Sequence, residues 1–312
     1  MTTAAQVQTE ELSTTMRDTF AQVVNEALDA DPRLALVLAD ISASMLTGAK
    51  ERHPDRVINV GIREQAMIGV AGGLALTGLR PIVHSFPSFL VERPFEQLKL
   101  DLGHQGVGAV LVSAGASYDM AAAGRTHQSP ADVTLVDTLP GWTIYLPGHP
   151  AEAERLLYKA FTGEDRVYVR LSGQANRQPY ALDGSDRLTI LRTGRRGLVL
   201  AVGPVADRVL AATEQLDVTV AYTATARPLD GAGLRAAALA ADQPDVVLVE
   251  PYLAGTSAYL VNAALDNVPH RVRSLGVGRE TEVRMYGSAD DHDAVHGLDA
   301  AGIHASIVSF LR

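Results

Sequence analysis

Cysteine is absent from this chain, and aromatic residues, clustered positive charge and long apolar runs are scarce. Without cysteine, the chain can form neither a disulfide framework nor a thiolate metal site. An aromatic share of 5% disfavours an aromatic-rich β-sandwich. A formal net charge of -9 with no dense Lys/Arg run argues against nucleic acid or an anionic membrane as the main partner.

Targeting features are also missing from the first residues. Residues 1–8 have neither the basic segment nor the apolar core of a signal peptide. No apolar stretch of the sequence is long enough, and free enough of polar residues, to span a bilayer. We therefore expect a cytoplasmic protein. Residues 1–12 are polar, and we expect them to be frayed.

What the chain does have is length and a regular alternation of strand and helix patterns. Its 312 residues, 47% of them apolar, suffice for two domains. The patterns predict strands at 34–39, 56–60, 81–86, 107–112, near Val133, at 142–145 and at 166–171, and helices at 12–28, 64–76, 91–103 and 150–161. Such alternation indicates a mostly parallel sheet covered by helices on both faces.

A second alternation follows residues 173–194, which lose periodicity and gather Gln, Pro, Asp and Gly. The patterns predict strands at 197–202, 218–221 and 246–250 and a last helix from 298 or 299 to 311. The predicted fold class is therefore α/β with two doubly wound domains. They comprise residues 13–172 and 195–312, joined by a linker at 173–194.

One carboxylate stands out at the start of a predicted helix. Glu64 follows an apolar run that ends at Val60 and precedes a Gly/Ala-rich apolar stretch. Thiamine diphosphate chemistry needs such a glutamate, because a carboxylate at the pyrimidine N1′ position favours the imino tautomer, whose exocyclic nitrogen can deprotonate thiazolium C2. The alternative is a glutamate that only complements the helix dipole.

Two further clusters follow predicted strands, where a doubly wound sheet usually binds its ligands. In residues 85–90, Phe86 or Phe89 either offers a flat apolar surface to an aminopyrimidine ring or forms plain core. In residues 121–128, a small-residue loop delivers His127. This histidine suits proton transfer or hydrogen bonding to a substrate hydroxyl, unless it is a solvated bystander.

Other ligand-binding patterns are weak or missing. Asp40 and His84 lie at predicted strand ends, and we interpret His84 as structural. The chain has no Gly-x-Gly-x-x-Gly after a strand, no Walker loop and no His-Glu-x-x-His. It also lacks a Gly-Asp-Gly followed at a distance by Asn, the arrangement expected to hold the magnesium and diphosphate of a thiamine cofactor. We therefore predict no metal ligand in this chain. The chain would bind one end of that cofactor at most.

Taken together, the motifs resemble the C-terminal half of the transketolase and deoxyxylulose-phosphate synthase superfamily over about residues 14–312. Four segments in the right order are far more specific than any single one. Residues 61–65 resemble the pyrimidine-domain glutamate motif of that family, and residues 80–83 with 88–90 resemble the strand and loop of its stacking aromatic. Residues 126–128 resemble its substrate-side histidine motif, and residues 296–302 resemble its last-helix signature.

This resemblance implies a subunit of a thiamine-diphosphate-dependent transferase that moves a two-carbon ketol or acyl unit between small carbonyl compounds. It implies that Glu64 activates the cofactor, that Phe89 with Phe86 packs on the pyrimidine, that Asp40 approaches the ring system and that His127 serves the substrate. A separate diphosphate-binding polypeptide would hold most of the Mg²⁺ ligands. The two chains would form an α2β2 heterotetramer, with this chain dimerising at its centre.

At two positions the chain departs from the family pattern. Where the relatives offer a sugar-contacting aspartate and a phosphate-binding arginine, this chain has Ala123 and Gly173. Losing a guanidinium removes a bidentate phosphate clamp, so whether the substrates are phosphorylated stays open. Arg125 or Arg170 could compensate, and Arg125 and Gln128 are candidate substrate residues beside His127.

Two other functions also stay open. The β subunit of a 2-oxo-acid dehydrogenase shares the two-domain architecture and a similar glutamate, although residues 126–128 and the tail at 298–302 favour the transketolase side. A non-catalytic scaffold that stabilises a partner enzyme would account for the two departures. It would not account for the retained Glu64, Phe89 and His127.

Overall fold

The computed structural model describes residues 15–280 and 282–312, so the segment predicted to be frayed, 1–12, lies outside the described residues. The strands are β1 (Leu34–Leu38), β2 (Val57–Asn59), β3 (Arg80–Ser85), β4 (Val110–Ala114), β5 (Trp142–Tyr145), β6 (Arg166–Leu171), β7 (Thr189–Arg192), β8 (Leu198–Val202), β9 (Thr219–Thr223), β10 (Thr225–Arg227), β11 (Val246–Leu253) and β12 (Val272–Val277). The α-helices are α1 (Met16–Ala30), α2 (Thr47–Arg52), α3 (Glu64–Leu76), α4 (Phe95–Gln97), α5 (Asp132–Asp137), α6 (Pro150–Thr162), α7 (Ala206–Ala212), α8 (Gly231–Leu239), α9 (Ala258–Ala264), α10 (Ala289–His296) and α11 (Ala300–Phe310). Tighter or wider helical turns cover Ala43–Leu46, Ser88–Glu92, Leu98–His104 and Ala121–Ala123.

Seven strands form the first sheet, in the order β10-β5-β6-β4-β3-β1-β2. All neighbours pair in parallel except β10, which comes from the second half of the chain and pairs antiparallel with β5. Side chains of β1 alternate between two cores. Leu36 and Leu38 join the core that includes α1 and α6, whereas Val37 joins the core that includes α3. Helices therefore cover both faces, as a mostly parallel sheet requires.

Five strands form the second sheet, in the order β12-β11-β8-β9-β7, again parallel except for the β7–β9 pair. The predicted α/β fold class, with two mostly parallel sheets, is confirmed. β7 lies inside the predicted linker 173–194, so the end of that segment is a strand. The sequence pattern missed it because β7 is an edge strand with no buried residue, and its Ile190 is 45% exposed.

The strand predicted near Val133 is wrong, because this segment is the helix α5. Val133 and Val136 are fully buried, whereas Thr134 and Leu135 between them are half-buried. A spacing of three between buried residues fits one face of a helix and not the alternation of a strand. The short apolar run was therefore ambiguous from the sequence alone.

Of the helices predicted for the first unit, 64–76 is confirmed as α3, but 91–103 is interrupted. Wide helical turns over Ser88–Glu92 and Leu98–His104 flank the short α4. Pro94 stands between them and lacks the N–H group that an α-helix interior needs, which accounts for the break.

Besides the β10–β5 pair, contacts between the two units lie near the carboxyl end of β4. The N–H of Leu253 in β11 donates to the carbonyl of Pro130 at 3.0 Å. Ser117, in the loop after β4, donates to the carbonyl of Pro251 at 2.5 Å. The second unit is thus fixed beside the edge of the first sheet at which ligands are expected.

The predicted last helix is α11, and the tail motif begins it. Asp299 accepts a hydrogen bond from the N–H of Gly302 at 2.9 Å, which makes it the N-cap. A Cβ at Gly302 would lie 2.6 Å from Cα of Gly297, so only glycine fits there. Within the described residues, no helix is both long and apolar enough to cross a bilayer.

Candidate active site

Glu64 is the first residue of α3, and only 2% of its surface is exposed. The chain reaches it from β2 through Gly61, whose φ of 70° lies in the left-handed region that favours glycine. Unpaired N–H groups at a helix start carry partial positive charge and favour a carboxylate there. Nη1 of Arg93 donates to Oε2 of Glu64 at 2.8 Å, so a salt bridge fixes the orientation of this carboxylate.

Arg93 also contacts an aromatic ring. The central carbon of its guanidinium lies 4.2 Å from the ring centroid of Phe89, within cation–π range. One cation thus connects Glu64 with the aromatic residue predicted to face a cofactor. The sequence analysis missed Arg93. It lies four residues after Phe89, the spacing at which helical side chains meet, and that spacing was the available signal.

Phe86, Phe89 and His127 form one aromatic cluster, although they come from two loops. The ring centroids of Phe86 and Phe89 are 6.1 Å apart. His127 lies 5.8 Å from Phe86 and 5.0 Å from Phe89, with its ring at 61° and 68° to theirs. Such edge-to-face geometry is the favoured one for aromatic pairs. The structure therefore brings three of the predicted site residues together, and Arg93 connects them to Glu64.

Within the loop 121–128, polar groups hold His127 in place. Nδ1 of His127 lies 3.0 Å from the hydroxyl of Thr126. Gln128 is only 2% exposed, and its amide donates to the carbonyl of Ala121 at 3.3 Å. Gln128 therefore supports the loop from inside, while His127 remains partly open to solvent.

Arg125, the other candidate substrate residue, connects this loop to the second unit. Its Nη1 donates to the carbonyl of Gln128 at 2.8 Å, and its Nε donates to Oε1 of Glu282 at 2.6 Å. The ion pair with Glu282 is exposed and partly neutralises the guanidinium. Arg125 is thus near His127 but already engaged.

His84 belongs to a buried hydrogen-bond chain. Nδ1 lies 2.8 Å from the carbonyl of Val112, which can only accept, so this nitrogen carries the proton. Nε2 therefore accepts from the hydroxyl of Ser42 at 2.8 Å, and Ser42 accepts from Nε of Arg17 at 3.0 Å. Burial lowers the pKa of His84 to about 4, so it is neutral at pH 7. These contacts fit the structural role predicted for it.

Asp40 lies in the loop that follows β1, with a φ of 64°. Its Oδ1 accepts from Nδ2 of Asn59 at 2.9 Å, and its own N–H donates to Oδ1 of Asn59 at 3.1 Å. The same Asn59 oxygen accepts from the N–H of Gly61 at 3.0 Å. Asp40 therefore fixes the turn that leads to Glu64, and its side chain is exposed.

Arg170 does not compensate for the glycine at position 173. It is buried, and its Nε donates to Oδ2 of Asp132 at 2.6 Å in an ion pair that is 1% and 0% exposed. The hydroxyl of Tyr168 donates to the same oxygen at 2.7 Å. A guanidinium enclosed in this way is not available to a substrate phosphate.

A cavity of about 360 Å³ opens beside Phe86, and we call it the Phe86 cavity. It lies at the carboxyl ends of β4 and β6. Within the part of the chain that the structure describes, its lining residues are Thr15, Arg17, Asp18, Met45, Phe86, Ala114, Gly115, Asp119, Met120, Leu171, Ser172 and Gly173. A space of this size next to the aromatic cluster is large enough for a small ligand.

Comparison with known proteins places this site in a family. The model of the transketolase pyrimidine-binding domain matches residues 13–179, more than half of the chain. The chain belongs to the transketolase family. Glu64, the aromatic cluster and the Phe86 cavity all lie in its transketolase pyrimidine-binding part.

Three relatives extend the match beyond that part. An uncharacterized 33.6 kDa protein in the fasciation locus of Rhodococcoides fascians is 55% identical, over 96% of this chain and 95% of its own. The 6-deoxy-6-sulfo-D-fructose transketolase subunit SqwH of Clostridium sp. (strain MSTE9) is 27% identical, over 84% of each chain. The 1-deoxy-D-xylulose-5-phosphate synthase of Albidiferax ferrireducens is 32% identical over 95% of this chain, which spans only 48% of the synthase.

A solved structure shows the same fold. It is described as a split gene transketolase, inactive beta4 tetramer, and it superposes with a TM-score of 0.82 at 24% identity. The match covers 96% of this chain and 98% of the other. The transketolase-like fold thus extends over both units.

Proposed function

We propose that this chain is the C-terminal subunit of a thiamine-diphosphate-dependent transketolase-like enzyme. The enzyme transfers a two-carbon ketol or acyl unit between small carbonyl compounds, and it needs a separate diphosphate-binding subunit. The observation that carries the proposal is the buried Glu64 at a helix start, connected through Arg93 to the Phe86–Phe89–His127 cluster. A carboxylate beside flat apolar rings fits the pyrimidine end of thiamine diphosphate.

In this proposal Glu64 acts on the pyrimidine. When bound, the cofactor supplies the nucleophilic carbon that accepts the two-carbon unit. Arg93 donates to Oε2 of Glu64, so the other oxygen, Oε1, would accept a hydrogen bond from the pyrimidine ring nitrogen. Such a hydrogen bond stabilises the tautomer that acts as a base. Arg93 is thus a positioning residue for Glu64.

His127 is proposed to act at the substrate. Its ring is partly exposed, and both phenylalanine rings hold it by edge contacts. A histidine in this position can donate to or accept from a substrate hydroxyl at neutral pH. Arg125 remains a candidate contact through its exposed guanidinium, and Asp40 through its place beside the turn before Glu64.

The proposed subunit has a pyrimidine-binding domain at 13–172 and a transketolase C-terminal domain at 195–312. The partner subunit holds the diphosphate and most of the Mg²⁺ ligands, in an α2β2 assembly in the cytoplasm. Ile62, two residues before α3, is 72% exposed, and Leu76, the last residue of α3, is 60% exposed, which suits self-association along this helix. The description of the split gene transketolase as an inactive beta4 tetramer supports the need for a partner.

Replacing Phe89 by alanine is expected to weaken thiamine diphosphate binding to the reconstituted pair. Loss of an offset aromatic contact costs roughly 0.5–1.5 kcal/mol beyond burial, which raises Kd by about 2- to 13-fold. Isothermal titration of the cofactor into the pair measures this change. The matched control is Phe95→Ala, since Phe95 is also half-buried but lies outside the aromatic cluster. Equal Kd values for the two variants would remove Phe89 from the cofactor site.

Reconstitution tests the proposed function. The chain is purified alone and together with the polypeptide, from the same organism, that bears a Gly-Asp-Gly…Asn motif. We expect no carbon–carbon transfer by either polypeptide alone and cofactor-dependent transfer by the pair. The readout is the appearance of the lengthened ketose, by mass spectrometry, from a ketose donor and an aldehyde acceptor.

Three results contradict the proposal. Transfer by the chain alone would show that it needs no diphosphate-binding partner. Decarboxylation of a 2-oxo acid with reduction of lipoamide by the pair would assign the chain to a 2-oxo-acid dehydrogenase. Formation of a stable pair that does not bind thiamine diphosphate would identify a scaffold.

A further inference from the structure

Asp119 places a carboxylate in the wall of the Phe86 cavity. Its Oδ2 accepts from the N–H of Gly173 at 2.7 Å and from the hydroxyl of Ser172 at 2.9 Å. Both hydrogen bonds end on the same oxygen, Oδ2. The carboxylate is therefore fixed by the chain that follows β6, and it is not a freely rotating surface group.

The other charged residues of this cavity do not cancel Asp119. Among the described residues, the charged side chains in the lining are Arg17, Asp18 and Asp119, one cation and two carboxylates. Arg17 donates to Ser42 and lies 5.8 Å from the ring centroid of Phe86. Asp18 accepts from Thr15 in the capping box of α1. The described lining thus has a net negative charge. Of its two carboxylates, Asp119 is the one that lies beside Ser172.

Gly173 supplies no cation of its own beside Asp119. A Cβ at position 173 would lie 3.5 Å from Cγ of Asp119, an ordinary contact, so the site has room for a side chain. The nearby Arg170 is engaged with Asp132 and enclosed in the protein. A ligand group that enters the cavity at this point meets a hydrogen-bond acceptor with negative charge.

We propose that Asp119 is a specificity-determining residue for the substrate, an inference that rests on the proposed function. It selects carbonyl compounds whose far end is an uncharged hydroxyl group over compounds whose far end is a phosphate ester. A hydroxyl donates to a carboxylate, whereas a phosphate dianion offers acceptors and a like charge. Like charges placed together in an interface discriminate against the wrong ligand more than they affect the right one.

The direct test compares D-glyceraldehyde with D-glyceraldehyde 3-phosphate as acceptor for the reconstituted pair. The wild-type pair is expected to have the higher kcat/KM with D-glyceraldehyde. Asp119→Asn keeps an oxygen for Gly173 and Ser172 but removes the charge, and it is expected to change the ratio of the two kcat/KM values by about tenfold toward the phosphate. Burial raises the pKa of Asp119, so the ratio is measured across a pH series.

Asp207→Asn is the matched control. Asp207 also accepts from a backbone N–H, that of Arg177, and from a hydroxyl, that of Tyr180, but it lies on the second unit away from the Phe86 cavity. This variant is expected to leave the ratio unchanged. A wild-type pair that prefers the phosphate, or an Asp119→Asn pair with the wild-type ratio, overturns the proposal.

A second measurement does not depend on the proposed function. Thermal melting of the full chain alone is recorded in inorganic phosphate and in sodium chloride of equal ionic strength. Phosphate stabilises folded proteins in general through its exclusion from their surface. The double variant Asp119→Asn with Gly173→Arg is therefore expected to show a larger rise in Tm in phosphate than the wild-type chain, because it removes the carboxylate and adds a guanidinium at position 173. If no pair transfers carbon but this rise appears, the proposed function fails while the charge assignment stands. Equal rises in the wild-type chain and the double variant contradict the charge assignment itself.

Discussion

Replacing Glu64 by glutamine is expected to lower cofactor-dependent transfer by the reconstituted pair by a factor of about 10²–10⁴, the range that general acid–base catalysis contributes. Glutamine keeps the size of the side chain, and its carbonyl oxygen still accepts from Arg93. It cannot carry the negative charge that stabilises a protonated ring nitrogen on the cofactor. The measurement is kcat with saturating thiamine diphosphate, which separates lost chemistry from weaker binding.

Two controls make this result specific. Glu154→Gln changes an exposed glutamate of α6 and is expected to keep full activity. The melting temperature of the Glu64→Gln chain should remain near that of the wild type, since the salt bridge becomes a hydrogen bond of the same geometry. Full activity of the Glu64→Gln pair would show that Glu64 only complements the dipole of α3.

Replacing Arg170 by methionine is expected to destabilise the chain by about 3–5 kcal/mol, because it leaves an unpaired charge in the interior. Asp132 is 0% exposed and would retain only the hydroxyl of Tyr168 as a partner. The loss should also loosen the contact between the two units, since Nη2 of Arg170 donates to Ser117, which in turn donates to Pro251. The free energy of unfolding from urea titration measures the effect.

An exposed pair provides the comparison for this prediction. Arg195 and Asp217 form a salt bridge whose side chains are 76% and 44% exposed. Arg195→Met is therefore expected to cost less than about 1 kcal/mol. Combining Arg170→Met with Asp132→Asn should recover part of the stability, because the unpaired charge is then absent. A cost for Arg170→Met as small as that for Arg195→Met would contradict the role of the buried pair.

Much of the site could be predicted because its residues lie in short segments with strong local signals. Glu64 begins a helix between an apolar run and a Gly/Ala-rich stretch, and the structure begins α3 at that residue. Phe86, Phe89 and His127 follow predicted strands, and the carboxyl ends of parallel strands meet at one edge of a sheet. Their meeting within 5.0–6.1 Å therefore follows from the topology.

Arg93 and Asp119 could not be assigned in the same way. Each acts through a partner that is distant in the sequence: Glu64 lies 29 residues from Arg93, and Gly173 lies 54 residues from Asp119. The role of Arg170 stayed open for the same reason, because its partner Asp132 is 38 residues away, in a segment expected to be a strand. The pattern of a single sequence shows local periodicity. It does not show which side chains, distant in the sequence, form an ion pair or a hydrogen bond.

The sequence by itself determined the α/β class, the position of α3 and the loops that carry Phe89 and His127, because hydrophobic periodicity and strand ends are local properties. Only the tertiary structure decided that Asp119 borders the Phe86 cavity, that Arg170 is enclosed and that β10 joins the first sheet. These depend on packing between units far apart in the chain, where burial and pairing of charges, and not local propensity, set the free energy.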